Sequence, residues 1–234
     1  MSIPRIIAHR GSMATEPENT LRSFLRAEAD DADEIELDLR LSADGEVVVI
    51  HDGTVDRTTD GSGRVDAMSL AELRGLDAGL GERIPTIREV LTTVRLPIQA
   101  EVKDAAALEP FARIVAELGV AERIVLSAAS ADTLRVAARV VPELPRALIL
   151  GKTPDDLVAQ AGAVGAAWLA PGITRLTPDH VAECAAAGIS VDAWPANSEE
   201  QLRQCMALGV QAVTADDPAA VRRWAAGIAR LTPA

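Results

Sequence analysis

Two hydrophobic rhythms run along this chain, a period of two near its start and a longer strand–helix alternation after it. Residues 34–41 read E-I-E-L-D-L-R-L. Ile35, Leu37, Leu39 and Leu41 take one face of a strand, and Glu34, Glu36, Asp38 and Arg40 take the other. Asp44-Gly45 makes a turn, and the apolar run 47–50 ends at His51. Such alternation is the ordinary mark of a half-exposed strand. Two aligned carboxylates near a histidine could also form a metal site with a proton-transfer partner, but taken alone the stretch favours the ordinary strand.

Around this stretch the pattern predicts a strand at 5–9 and a helix at 19–30 with Asn19 as its N-cap. Residues 53–85 form a long polar connection. Its one clear element is a short helix opened by a capping box, Ser69 to Glu72. Connections of this length inside a compact domain usually carry function, and this one reads as a cap over a site. From Thr86 onward strands and amphipathic helices alternate strictly. Helix starts are marked by Thr86 with Glu89, Thr153-Pro154, Thr177-Pro178 and Ser198 with Gln201. Eight strands, each followed by a helix, centre on Ile6, Glu36, Ile98, Val125, Leu148, Trp168, Val191 and Val213. That order predicts an α/β fold, a closed (β/α)8 TIM barrel spanning 1–234 as one domain, with 53–85 as a small insertion after strand 2. An open doubly wound sheet is the competing topology. It would carry a glycine-rich phosphate turn after an early strand, and the chain has no G-x-G-x-x-G or Walker pattern.

Composition narrows the partners. The chain has 234 residues, 48% of them hydrophobic, with three Trp, two Phe and no Tyr, so the core must be built from Ala, Val, Leu and Ile. A net charge of −12 sets the global field against nucleic acid and anionic membranes. An anionic substrate needs a local cluster of Arg, Lys or metal. Cys184 and Cys205 make neither a zinc motif nor a disulfide framework and are expected as buried free thiols. The N-terminus shows no signal-peptide pattern and no apolar run could span a bilayer, so a cytoplasmic protein without stable membrane association is expected.

In such barrels the chemistry collects at the C-terminal ends of the strands. There the chain places His9 and Arg10 (strand 1), Glu36 and Asp38 with His51 beyond the hairpin (strand 2), and Glu101 and Lys103 (strand 3). Ser127, Trp194 and Asp216 end later strands. Barrel interiors are normally packed with branched apolar residues. Three inward carboxylates repel one another and are costly to desolvate, and a divalent cation is the simplest compensation. Oxygen ligands indicate a hard ion, Mg2+ or Ca2+. Two flanking histidines suit general acid–base work, and Arg10 and Lys103 supply local positive charge. Together they suit hydrolysis of a phosphodiester.

The motifs sharpen this. H-R-G at 9–11, P-E-N-T at 17–20, E-L-D at 36–38, D-G-E-V-V-V-I-H-D at 44–52, R-T-T at 57–59, P-T-I-R-E-V-L at 85–91 and E-V-K at 101–103 occur in order. With them the chain resembles the glycerophosphodiester phosphodiesterase family. The resemblance implies Glu36, Asp38 and Glu101 as metal ligands, His9 and His51 as the acid–base pair, and Arg10 and Lys103 on the phosphate. It implies 53–85 as the family's insertion over the site, and a small-molecule glycerophosphodiester split into glycerol 3-phosphate and an alcohol by a monomer or homodimer. Trp194 is a candidate pocket wall. The pattern departs at Ser127-Ala128-Ala129, where an aromatic after the Ser is missing, and at Ala215-Asp216, where a Thr before the Asp is missing. These changes touch the pocket for the leaving alcohol. Water and a substrate hydroxyl both remain open as first nucleophile, and either histidine can be the acid. Lysophospholipids or phosphoinositides on the same centre call for an apolar or basic rim that 53–85 lacks. A non-catalytic phosphate-binding barrel would be expected to have lost one of the five central residues.

Overall fold

The computed structural model describes residues 3–231. Among them eight strands run parallel and close on one another: β1 (Arg5–Ala8), β2 (Glu34–Leu41), β4 (Ile98–Val102), β5 (Ile124–Ala128), β6 (Arg146–Leu150), β7 (Trp168–Pro171), β8 (Ser190–Ala193) and β9 (Ala212–Ala215). The ring closes because β1 pairs with both β2 and β9. A short β3 (Val47–Val49) lies antiparallel on β2, with Leu39 opposite Val49. Helices α1 (Leu21–Ala29), α3 (Ile87–Thr93), α4 (Leu108–Leu118), α5 (Ala131–Val140), α6 (Leu157–Val164), α7 (Pro178–Ala186), α8 (Glu199–Leu208) and α9 (Pro218–Leu231) form the outer layer. The barrel expected from the strand–helix rhythm is therefore present. No helix of the described residues is long and apolar enough to cross a membrane.

Alternation sorts each strand's residues between two environments. Ile35, Leu37, Leu39, Ile98, Ala100, Val102 and Leu126 are fully buried and share one hydrophobic core with Phe24, Phe111 and Leu134 of the surrounding helices. The opposite faces are polar and also buried: Glu34, Glu36, Asp38, Gln99, Ser127, Asp192 and Thr214. Register stacks them, with Glu36 beside Gln99, Asp38 beside Glu101, and Glu101 beside Ser127. One side of the barrel interior is thus lined with carboxylates where branched aliphatics are usual.

Residues 53–85 lie beyond β3 around a second, small cluster of Val48, Ile50, Val55, Val65, Leu73, Ala78 and Ile84. The segment contains a 3-10 turn at Val65–Ala67 and one α-helical turn, α2 (Leu70–Leu73), opened by the expected capping box of Ser69 and Glu72. The capping boxes at Thr86 and Thr177 are also present, the second with His180 as the reciprocal partner. Both cysteines are buried and unpaired.

Two helix starts differ from expectation. Thr20, not Asn19, caps α1, accepting from the Ser23 amide. Asn19 adopts φ 57° and turns its side chain inward to Asp38. Thr153 does not open α6, which begins four residues later; its hydroxyl donates instead to the Gly172 carbonyl at 2.6 Å. In both cases a tertiary partner outcompetes the local cap.

Candidate active site

The turn after β1 places the first two residues of the site. Arg10 and Gly11 take φ of 50° and 80°. A Cβ on Gly11 would lie 2.3 Å from Ser23 Oγ and 2.6 Å from its carbonyl carbon, so only glycine lets this turn sit against α1. The tight turn aims the Arg10 amide at Glu36 Oε2, 3.1 Å away. His9 stays on the strand tip, its amide donating to the Ala215 carbonyl. The second histidine arrives on the β2–β3 hairpin. The Ile50 amide donates to the Asp38 carbonyl, and Arg40 Nε donates to the His51 carbonyl at 2.8 Å, which ties His51 to the tip of β2.

Between the histidines, Glu36, Asp38 and Glu101 bring one carboxylate oxygen each within 4.8 Å of the others. Lys103 Nζ lies 3.0 Å from Asp38 and 2.7 Å from Glu101. Arg10 Nε lies 3.2 Å from Asp38, and Asn19 Nδ2 donates to Asp38 Oδ2 at 2.8 Å. Burial works to raise the Asp38 pKa, but Lys103 and Arg10 outweigh it and hold it below the usual carboxylate range. At Glu36 the compensation from His9 and Arg10 is outweighed. Burial, reinforced by the charge of Asp38, pushes its pKa up. Asp38 Oδ1 is fully buried and faces Lys103 Nζ at 3.0 Å without an aligned hydrogen bond. Three converging carboxylate oxygens, set against the two cationic side chains of Lys103 and Arg10, fit a hard divalent cation.

Each histidine has a carboxylate behind Nδ1. His9 meets Asp216 Oδ1 at 2.7 Å, and His51 meets Asp52 Oδ1 at 2.6 Å. Because a carboxylate only accepts, Nδ1 carries the proton in both rings and Nε2 is left available for proton transfer. Burial opposes charge on His9, but the hydrogen bond to Asp216 and the charge of Glu36 prevail, and its pKa is raised. Asp216 is itself clamped by Asn197, which donates from Nδ2 at 2.7 Å and accepts the Asp216 amide at 2.9 Å. Asp52 is clamped by Arg57, and the hydrogen bonds from Arg57 and then His51 hold its pKa far below normal.

These groups open on one cleft of about 280 Å3. One wall is polar, with His9, Arg10, Glu36, His51, Glu101 and Lys103; the other is neutral, with Ala129, Ile149, Gly151, Ala170 and Trp194. Trp194 is fixed by Nε1 donating to the Ala170 carbonyl at 2.8 Å. The two sequence departures have simple readings here. Ala128, the residue directly after Ser127, is wholly buried in the hydrophobic core, and Ala129 beside it is a small residue on the cleft wall. Ala215 is wholly buried in the hydrophobic core, so a missing Thr leaves the Asp216–His9 contact intact.

All eight residues singled out from the sequence line or adjoin this cleft. Sequence reasoning gave no supporting role to Asp52, Arg57, Glu18 and Asn19, and placed Asp216 at a strand end without its His9 partner. Their signals were present, since Asp52 follows His51 directly and the other four sit in the recurrent motifs or the strand-end position. Asn19 reads as a capping residue instead.

The glycerophosphoryl diester phosphodiesterase family model matches residues 9–220. A glycerophosphodiester phosphodiesterase from Caldanaerobacter subterraneus subsp. tengcongensis is 34% identical over 91% of this chain and 94% of its own length. A crystallised Oleispira antarctica phosphodiesterase, in complex with its product sn-glycerol-3-phosphate, superposes with a TM-score of 0.90 at 28% identity, covering 95% of this chain and 97% of that one. A glycerophosphodiester phosphodiesterase from Thermotoga maritima shares the fold, with a TM-score of 0.84 at 22% identity over 95% and 99% of the two chains. On the strength of the motifs, the closed barrel and these matches, the chain belongs to the glycerophosphoryl diester phosphodiesterase family.

Proposed function

We propose that this enzyme hydrolyses small glycerophosphodiesters to glycerol 3-phosphate and an alcohol, with a divalent cation on Glu36, Asp38 and Glu101 and with His9 and His51 as the acid–base pair. The observation that carries this reading is the pair of histidines on one cleft, each with a carboxylate behind Nδ1, flanking the acidic triad. The sn-glycerol-3-phosphate held by the Oleispira antarctica phosphodiesterase supports the product.

Mg2+ or Ca2+ bound to the triad supplies Lewis-acid polarisation of a non-bridging phosphate oxygen. The protein does the rest. Lys103 and the Arg10 guanidinium lie at the polar wall beside the triad and favour the diester's negative charge against the acidic background. One histidine takes a proton from the nucleophile at Nε2, and the other donates a proton to the departing alkoxide. Positioned acid–base groups of this kind contribute about 10²–10⁴-fold in rate. The neutral wall ending at Trp194 receives the leaving alcohol. Ala129 is a small residue on that wall, which leaves room for the alcohol.

A panel of diesters, glycerophosphocholine and glycerophosphoethanolamine among them, tests the proposal with a coupled assay for glycerol 3-phosphate. Turnover that falls at least a hundredfold in His9→Ala and in His51→Ala is expected. Full activity in either variant contradicts the scheme.

A further inference from the structure

Arg57 of the insertion at 53–85 reaches the site. Arg57 is 47% exposed and lies five residues beyond Asp52. Its Nε donates to Asp52 Oδ2 at 2.6 Å, and its Nη2 reaches Asp52 Oδ1 at 3.2 Å. The other edge of the same fork faces Glu18, with Nη1 donating to Oε2 at 2.7 Å and Nη2 to Oε1 at 2.9 Å. Glu18 Oε1 also accepts from Arg10 Nη1 at 2.9 Å. Charges therefore alternate without a break from Asp38 through Arg10, Glu18, Arg57 and Asp52 to His51. The chain crosses three segments: the β1–α1 connection, the end of the hairpin and the insertion.

We propose that Arg57 is a positioning residue that sets two parts of the site at once. Through Asp52 it orients the His51 ring, and through Glu18 it sets the Arg10 guanidinium against the phosphate. The assignment rests on the proposed diester hydrolysis. The chemistry favours arginine specifically. Two carboxylates bound edge-on by one planar fork are within reach of a guanidinium, whereas an ammonium is a point charge that serves one of them well. Burial in the folding core does not explain the residue, because the Arg57 side chain is half exposed. An acidic residue held between two arginines is also well ionised. Burial works to raise the Glu18 pKa, but the Arg57 hydrogen bond and the charges of Arg10 and Arg57 lower it.

The experiment is a mutant cycle on the whole protein. In Arg57→Ala, kcat falls and KM rises, each by about tenfold or more, the range for loss of a supporting contact. The KM component disappears when Arg57→Ala is made in a Glu18→Gln background, and the kcat component disappears in an Asp52→Asn background, because each background has already lost that link. Arg57→Lys restores one component and not both. Arg64→Ala, an exposed pair with Asp66 elsewhere in the insertion, leaves both constants unchanged and controls for the segment's folding. A readout independent of turnover is the Nδ1–H proton of His51 by NMR, slow to exchange in the parent protein and lost in Arg57→Ala. Unchanged kcat and KM, full additivity in both backgrounds, or a retained His51 proton overturns the proposal. Parent turnover, with its loss in His51→Ala, tests the diester reading separately.

Discussion

His9 Nδ1 donates to Asp216 Oδ1 at 2.7 Å, joining the first strand of the barrel to the last across 207 residues of sequence. The contact fixes the tautomer of His9, and Asn197 fixes the carboxylate in turn. Asp216→Asn keeps the shape and removes the charge. A carboxylate favours the imidazolium, so its loss lowers the His9 pKa, and whichever arm of the kcat/KM–pH profile His9 governs moves to lower pH. A fall in kcat of about 10–100-fold accompanies the shift. Profiles of the parent and the variant between pH 5 and 9 check both effects.

Gly11 answers to geometry rather than chemistry. In Gly11→Ala the new methyl group meets Ser23 Oγ at 2.3 Å in a backbone of φ 80°. Overpacking and left-handed strain together predict a loss of roughly 2–4 kcal/mol. Urea denaturation measures it, and KM for the diester rises in the same variant because Arg10 is displaced.

Asp192 on the cleft floor gives a pH dependence of stability. Burial pushes its pKa from 3.8 up to about 6, against hydrogen bonds from Thr214 and Gln99. The folded state therefore holds a proton that the unfolded chain has released. The resulting stabilisation is fully present below pH 3.8 and is lost as pH rises through about 6. Relative to Asp192→Asn, the parent loses on the order of 2–3 kcal/mol over that window. Thermal melts of both proteins in chelator at pH 4 to 7 give the difference, and parallel curves contradict it.

The barrel was legible because its signals are local. Period-two faces such as 34–41, capping boxes at Ser69, Thr86 and Thr177, and strict alternation after Thr86 each report on a few adjacent residues. The acidic triad was legible for the same reason, since Glu36 and Asp38 share one strand face and Glu101 stands in register on the next. What escaped were the residues whose role depends on distant partners. Asn19 carries the composition of a helix cap, yet its side chain belongs to Asp38, while Thr20 beside it does the capping. Asp52 is adjacent to His51, but its function as a clamp needs Arg57 from the insertion. No local pattern announces that Asp216 lies behind His9.

The central claim is that a cation on Glu36, Asp38 and Glu101 is required for diester hydrolysis. Protein stripped with chelator and then titrated with Mg2+ or Ca2+ tests it most directly, with glycerol 3-phosphate release from glycerophosphocholine as the readout. The account predicts negligible turnover in the stripped enzyme, recovery that saturates at about one ion per chain, and no recovery in Asp38→Asn. Full turnover after stripping, or recovery undiminished in Asp38→Asn, contradicts it.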